Sequence, residues 1–226
     1  MFQKDYFQQL LTELTSYPQG PQLVAVSKYA PIADIEAAVA AGQQDFGESR
    51  AQDLQAKAAH FAALSEPIRW HFIGHLQRNK LAKVAPLIRS LHSLDSLALA
   101  QALATYYADH PPAQPIDVYI QINLSAQAQK YGFASSDQVG IHACSAVLKE
   151  TPQLRWAGLM GMSSEGASPD QIRREFTQLK NLRDQLQCEY PHKLGLSMGM
   201  SHDFKLALAL GATVLRIGSS LFLNDQ

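Results

Sequence analysis

Short apolar runs of strand length recur along the chain and alternate with stretches of helical pattern. The runs contain few polar interruptions, which is typical of strands that are buried on both faces, as in parallel sheets. We predict eight such strands, at residues 23–28, 45–49, 70–74, 90–94, 118–123, 156–162, 193–199 and 214–218.

Between the strands, the recurrence of apolar positions once per turn predicts helices, and capping residues mark some of their ends. We expect Ser135, Ser168 and Ser201 to begin helices, Gly42 to follow the end of one, and Pro86 to break or kink another. The helices are predicted at about residues 3–16, 31–42, 48–64, 79–89, 96–110, 135–150, 168–190 and 201–212.

This alternation within 226 residues predicts a single-domain α/β fold over residues 1–226. The architecture that fits best is a (β/α)8 barrel of the TIM type, preceded by an extra N-terminal helix. The competing interpretation is an open, doubly wound sheet. The choice between the two depends on whether residues 90–94 form a strand.

Composition and charge exclude several classes of protein. The 19 basic and 20 acidic residues leave a formal charge of -1, which gives no general reason to bind nucleic acid or an anionic membrane. The two cysteines cannot build a disulfide framework. The N-terminus lacks a signal pattern and no apolar stretch is long enough to span a bilayer, so we expect a soluble, cytoplasmic protein.

Polar residues follow the apolar runs at the strand ends where barrel enzymes carry their sites. Lys28 follows the first run, and an amine desolvated at the mouth of an apolar barrel has a lowered pKa and attacks carbonyls. The alternative is a lysine whose stem lies on an apolar wall while its ammonium group reaches water.

The segments SMGMSHD (197–203) and RIGSS (216–220) follow the last two predicted strands, where barrels often bind phosphate. Ser201 as an N-cap would leave nearby N–H groups at the positive end of a helix, and Gly218 would let the chain approach an oxyanion. The alternative is a capped helix and a Gly-Ser turn without a ligand. Taken with Lys28, these segments predict one ligand that carries an aldehyde and a phosphate.

His71 and His75 are four residues apart, but the glycine between strand and helix spoils a simple metal-binding pair. No acidic third ligand lies nearby at a zinc spacing, so we expect no metal site. Capping of the following helix or a hydrogen bond in the core is the use that we expect of these histidines.

Along nearly its whole length the chain resembles the pyridoxal-phosphate homeostasis proteins, a family similar to the N-terminal barrel of alanine racemase. The HFIGxLQxNK and SMGMSxD patterns are highly specific when they occur together. The segments that carry the resemblance are VAVSK (24–28), FGES (46–49), WHFIGHLQRNK (70–80), QINLSAQAQKYG (121–132), GLMGM (158–162), LSMGMSHDF (196–204) and GATVLRIGSSLF (211–222).

The resemblance implies a monomeric (β/α)8 barrel that binds pyridoxal 5′-phosphate (PLP), with Lys28 forming the covalent aldimine. It also implies that Ser201, Gly218 and Ser219 hold the phosphate, with Met200 beside them, and that Arg216 faces the pyridine nitrogen. Ser49 stands where the family usually has an asparagine near the cofactor.

An arginine is always charged and cannot accept a hydrogen bond from a protonated ring nitrogen, so Arg216 would hold that nitrogen neutral and weaken the cofactor as an electron sink. We therefore predict a non-catalytic PLP-binding protein that buffers PLP or delivers it to apo PLP-dependent enzymes. The alternatives are an amino-acid racemase or Schiff-base lyase acting through Lys28, and an interaction module that hands cofactor to other proteins. Tyr29 is the nearest candidate for a second base, but strand alternation would point it away from Lys28.

Overall fold

Eight parallel strands close into a barrel in the computed structural model, which describes residues 1–125 and 131–223. The strands are β1 Gln22–Val26, β2 Asp45–Glu48, β3 Arg69–Phe72, β4 Ile88–Leu94, β5 Ile116–Asn123, β7 Leu154–Met160, β8 Gly195–Ser197 and β9 Val214–Ile217. Their hydrogen-bonded order is β4-β3-β2-β1-β9-β8-β7-β5, and pairing between β4 and β5 closes the ring.

The closure confirms the (β/α)8 prediction, and the open doubly wound sheet is wrong. Residues 90–94, on which the choice depended, lie within β4, and β4 pairs with β3 on one side and β5 on the other. A further two-residue strand, β6 (Phe133–Ala134), pairs with the end of β5 outside the ring and was not predicted. Part of the family-like segment 121–132, namely residues 126–130, lies outside the described residues.

Helices connect successive strands, and the predicted N-terminal helix precedes β1. Pro86 breaks the predicted helix at 79–89, which becomes the short helix α4 (Leu81–Val84) between 3-10 turns at Arg78–Lys80 and Ala85–Leu87. The helices are α1 Lys4–Thr15, α2 Ile32–Ala40, α3 Ala51–His60, α4 Leu81–Val84, α5 Leu97–Asp109, α6 Gln138–Glu150, α7 Pro169–Gln187 and α8 Phe204–Ala209. No helix in the described ranges is long and apolar enough to cross a membrane.

Two of the three predicted serine caps are wrong. The Ser168 hydroxyl accepts a hydrogen bond from Gln171 N and begins α7, as expected. Helix α6 instead begins at Asp137, whose carboxylate accepts from Gly140 N, and the N-cap position of α8 is Asp203. Ser135 and Ser201 therefore lie in the turns that precede these helices.

Apolar side chains pack mainly between the barrel and its helices. A separate small cluster of Val24, Tyr119, Met160 and Val214 joins strands from different sides of the ring, so it lies inside the barrel. The interior also holds buried polar side chains, because Arg216 of β9 is buried beside Ser197 of β8. The barrel interior is thus partly polar, whereas the layer outside it is mainly apolar.

Candidate functional site

One cavity of about 490 Å³ opens where the loops leave the carboxyl ends of the strands. Its volume lies in the range of small-molecule sites, about 300–1,000 Å³. The structure brings all seven of the predicted site residues to the wall of this cavity: Lys28, Ser49, Met200, Ser201, Arg216, Gly218 and Ser219. Tyr29 and His202 also line it, although neither was predicted to.

Lys28 lies in a turn beyond β1, because the strand ends at Val26. Its side chain is exposed. The expectation that the barrel mouth by itself removes the ammonium group from water is therefore wrong. The Lys28 Nζ atom lies 5.2 Å from the centre of the Tyr29 ring. The prediction that Tyr29 points away is therefore wrong, since strand alternation has already ended at this position.

A buried ion pair outside the barrel wall anchors the turn that carries Lys28. The Lys57 Nζ atom of α3 lies 2.7 Å from Glu48 Oε1 and donates to the Ser27 carbonyl oxygen at 2.7 Å. The Ser27 hydroxyl donates to the same Glu48 oxygen at 2.6 Å. We call Ser27, Glu48 and Lys57 the outer cluster. It fixes both the backbone and the side chain of the residue that precedes Lys28.

Arg216 enters the cavity from the barrel interior and is almost fully buried. Its guanidinium donates to Ser197 Oγ at 2.6 Å and to the Gly161 carbonyl oxygen at 3.0 Å. Burial lowers the pKa of Arg216 to about 10, against the attraction of Asp203. The side chain is therefore still a cation at neutral pH, and two neutral oxygen acceptors fix its orientation.

The turn at residues 200–203 belongs to the loop after β8 and is hydrogen-bonded to the loop after β9. Asp203 accepts hydrogen bonds from Met200 N and, at 2.6 Å, from the Ser163 hydroxyl. The Ser201 hydroxyl accepts from Ser220 N at 3.3 Å, which joins the two loops. Asp203 is thus a structural residue of the site that the sequence analysis missed. The sequence signal for Asp203 was its position in SMGMSHD just before α8, where Ser201 was predicted to be the N-cap instead.

The position of Ser49 depends on a glycine in the neighbouring loop. A Cβ atom at Gly74 would lie 2.2 Å from the Ser49 carbonyl oxygen, so any side chain there would force the two loops apart. Gly74 is the second residue after β3, and Ser49 comes directly after β2. The close approach of these loops sets the wall of the cavity on the side where Ser49 lies.

The two histidines of HFIGH point to different environments. His71 is buried and its Nε2 lies 2.9 Å from Asp45 Oδ1, which confirms the expectation of a hydrogen bond in the core. His75 contacts Asp95 at 2.6 Å and stacks on Tyr131 with ring centres 3.9 Å apart. Among the described residues, no group of three His, Cys, Asp or Glu side chains could hold a metal ion.

The alanine racemase N-terminal domain family matches residues 7–225 of the chain. A pyridoxal phosphate homeostasis protein of Pseudomonas aeruginosa is 39% identical over 208 residues, which is 91% of this chain and 85% of that protein. The mouse protein of the same name is 37% identical, over 89% of this chain and 76% of its own. The chain belongs to the pyridoxal phosphate homeostasis protein family.

Solved structures agree with this membership. PipY of Synechococcus elongatus, solved with PLP bound, superposes with a TM-score of 0.85 at 33% identity, over 97% of this chain and 99% of PipY. Alanine racemase from Corynebacterium glutamicum superposes with a TM-score of 0.68 at 17% identity, which shows a shared fold. This chain covers 96% of its own length but 59% of that racemase. The shared fold therefore covers only part of that longer chain.

Proposed function

We propose that this protein binds pyridoxal 5′-phosphate in the cavity at the carboxyl ends of the strands and acts in intracellular vitamin B6 homeostasis. The observation that carries the proposal is that Lys28, Arg216 and the Ser201 and Gly218–Ser219 turns line one cavity. When bound, PLP supplies an aldehyde, which condenses with a primary amine with loss of water, and a ring that can withdraw electrons.

The donor groups of the cavity fit this cofactor. Lys28 provides the primary amine, and Arg216 provides fixed N–H donors for the ring nitrogen. Ser201 and Ser219 provide hydroxyl groups for a phosphate. At Gly218 a Cβ atom would lie 3.1 Å from the Val26 carbonyl oxygen, so only a bare backbone fits comfortably between the two loops. Met200 and Ser49 complete the wall around these donors.

We propose that Lys28 holds the cofactor covalently and that Arg216 keeps the ring nitrogen unprotonated. Arg216 offers only donors, since it remains a cation at neutral pH. A ring nitrogen that accepts a hydrogen bond and carries no proton makes the cofactor a weaker electron sink. The protein therefore stores PLP and delivers it to apo PLP-dependent enzymes as a monomeric single domain, without turnover of its own.

Tyr29 favours a second candidate function, an amino-acid racemase or Schiff-base lyase. Its phenol group lines the same cavity as Lys28 and could serve as a second group for proton transfer. Deuterium incorporation at Cα of added amino acids, measured per bound cofactor, distinguishes the two functions. Exchange at enzyme-like rates that falls in Tyr29→Phe would favour the enzyme, and its absence favours storage.

Borohydride reduction of the protein loaded with PLP, followed by peptide mapping, tests the proposed binding mode. We expect one reduced adduct, on Lys28, and none in Lys28→Ala. Lys80, another lysine at the same end of the barrel, lies in the 3-10 turn after β3 and provides the matched control Lys80→Ala. An adduct on any other lysine would refute the assignment of Lys28.

The phosphate group should dominate retention, because charge-assisted hydrogen bonds are the stronger kind. We expect pyridoxal without phosphate to bind much more weakly than PLP, as measured by equilibrium dialysis. Equal affinities would show that the turns at Ser201 and Gly218–Ser219 do not bind the phosphate. The seven predicted residues of the cavity wall are the proposed site, and none of these seven is proposed to act as a catalytic residue.

A further inference from the structure

Five polar side chains form a continuous chain of hydrogen bonds that crosses the barrel interior and ends at Arg216. Asp45 Oδ1 lies 2.9 Å from His71 Nε2, and His71 Nδ1 lies 2.9 Å from His92 Nε2. His92 Nδ1 lies 2.7 Å from Ser197 Oγ, which accepts from Arg216 at 2.6 Å. We call these five residues the inner chain. It passes from β2 and β3 through β4 to β8 and β9.

When both imidazoles are neutral, the chemistry of the two ends orients every proton in the inner chain. An ionised Asp45 only accepts, so His71 must carry a proton on Nε2, and a neutral His71 then accepts on Nδ1. His92 must then donate from Nε2 and accept on Nδ1, and the Ser197 hydroxyl must donate to it. Arg216 only donates, so Ser197 Oγ accepts from it. All four hydrogen bonds therefore run in one direction.

Burial and charge fix the protonation states of Asp45 and His92 within the inner chain. Hydrogen bonds from Arg69 and His71 outweigh the effect of burial and hold the pKa of Asp45 well below its usual value. Burial, together with His71 and Arg216, lowers the pKa of His92 well below its usual value. His92 also stacks on the Tyr119 ring at 4.6 Å. At neutral pH Asp45 is therefore an anion and His92 is neutral.

We propose that Ser197, His92 and His71 are positioning residues for Arg216, which acts on the cofactor ring nitrogen. The inner chain holds the guanidinium at a fixed angle, and no carboxylate of residues 1–125 or 131–223 contacts it directly. A serine hydroxyl that donates to His92 becomes a better acceptor for Arg216, because hydrogen bonds in series strengthen one another. The inference rests on the proposed function, since it concerns the same site.

The arrangement differs from a direct Arg–carboxylate pair in what it offers the ring nitrogen. A carboxylate on the guanidinium would neutralise its charge and compete for its donors. Here the nearest side-chain acceptor is neutral, and the anion of the inner chain is Asp45, beyond two histidines and a serine. Arg216 therefore keeps both its charge and its orientation toward the cavity.

Two kinds of measurement test the inner chain. The first is nitrogen NMR of the imidazole rings in protein free of cofactor, which reports each tautomer. The second is the absorbance spectrum and the affinity of bound PLP in Ser197→Ala and His92→Phe, each of which breaks the chain. His92→Gln offers one donor and one acceptor and is the rescue variant. Ser90→Ala removes another buried serine hydroxyl of the barrel, which donates to the Asp117 carbonyl oxygen, and is the matched control.

We expect both His71 and His92 as Nε2–H tautomers in the wild-type protein. In Ser197→Ala and His92→Phe we expect a shifted cofactor absorbance band and an affinity weaker by about tenfold, as for the loss of a hydrogen bond to a charged group. His92→Gln should restore much of the wild-type absorbance band and affinity, and Ser90→Ala should have the wild-type band and affinity. This pattern would support a role of the inner chain in positioning Arg216, because His92→Gln would not restore the absorbance band if the defect were purely structural.

An Nδ1–H tautomer at His92 would overturn the inner chain. Folded Ser197→Ala and His92→Phe proteins that match the wild type in band and affinity would overturn the positioning role. Failure of the wild-type protein to take up PLP is a separate result, which would refute the proposed function, and the tautomers would then decide the hydrogen-bond chain by themselves.

Discussion

Two buried carboxylates, Asp45 and Glu48, lie three residues apart on β2 and serve opposite sides of the barrel wall. Glu48 faces the helix layer, where it pairs with Lys57 of α3. Asp45 begins the inner chain, where it accepts from His71 and from the partly exposed Arg69. Because side chains alternate along a strand, an odd spacing places the two acids on opposite faces.

The difference between these two acids separates two ways of supporting a site. The outer cluster joins opposite charges directly and holds the turn before Lys28. The inner chain places neutral groups between its charges and holds Arg216. Both ends of the proposed cofactor site thus depend on one four-residue strand. The stability of the outer cluster should depend on both of its charges. The stability of the inner chain should depend instead on which nitrogen of each histidine carries the proton.

The largest expected effect comes from breaking the outer cluster. Lys57→Met should lower the free energy of unfolding by about 3–5 kcal/mol, because it leaves the Glu48 carboxylate buried without its partner. Chemical denaturation followed by circular dichroism measures this loss. The double variant Glu48→Gln with Lys57→Met should be more stable than Lys57→Met alone. A single variant as stable as the wild type would contradict the role assigned to this pair.

Breaking the inner chain at its acidic end should cost less. Asp45→Asn removes the charge that accepts from Arg69 and His71, and we expect a loss of about 2 kcal/mol, as for hydrogen bonds to charged groups. The same denaturation experiment measures it, with Asp117→Asn, another carboxylate that pairs with arginines, as a control outside the chain. A loss larger than that of Lys57→Met would reverse the proposed order of the two clusters.

Acidification should weaken the inner chain before the carboxylates titrate. The folded-state pKa of His92 lies well below its unfolded value of 6.5, so the unfolded state binds the proton first. Stability should therefore be complete above pH 6.5 and fall as the pH drops below it, by up to about 1.4 kcal/mol per pH unit. Unfolding free energies measured between pH 7.5 and 5 test this, and His92→Gln should show a shallower dependence.

The smallest effect on stability is expected at the cavity itself. Lys28 is exposed and makes no buried contact, so Lys28→Ala should change the free energy of unfolding by less than about 0.5 kcal/mol. The same variant should lose the covalent cofactor completely. A marked loss of stability in cofactor-free Lys28→Ala would mean that Lys28 supports the fold as well as the ligand.

Much of the fold and of the cavity wall was predictable from local patterns. Runs of apolar residues mark strands wherever they lie, and the carboxyl ends of barrel strands meet at one face, so Lys28, Ser49 and Arg216 could be placed near one another. The two-residue strand β6 was missed, because so short a pairing leaves no periodic pattern. The cap at Ser201 was wrong, because Ser201 and Asp203 both have the chemistry of an N-cap.

The sequence by itself determined the eight strands, their alternation with helices and the polar residues at their ends, because these depend on neighbours along the chain. Only the tertiary structure decided which buried polar groups meet. His92 and Ser197 are 105 residues apart and come together only because the ring closes between β4 and β5. A buried polar side chain must find a partner, but which partner it finds is set by the packing of distant strands.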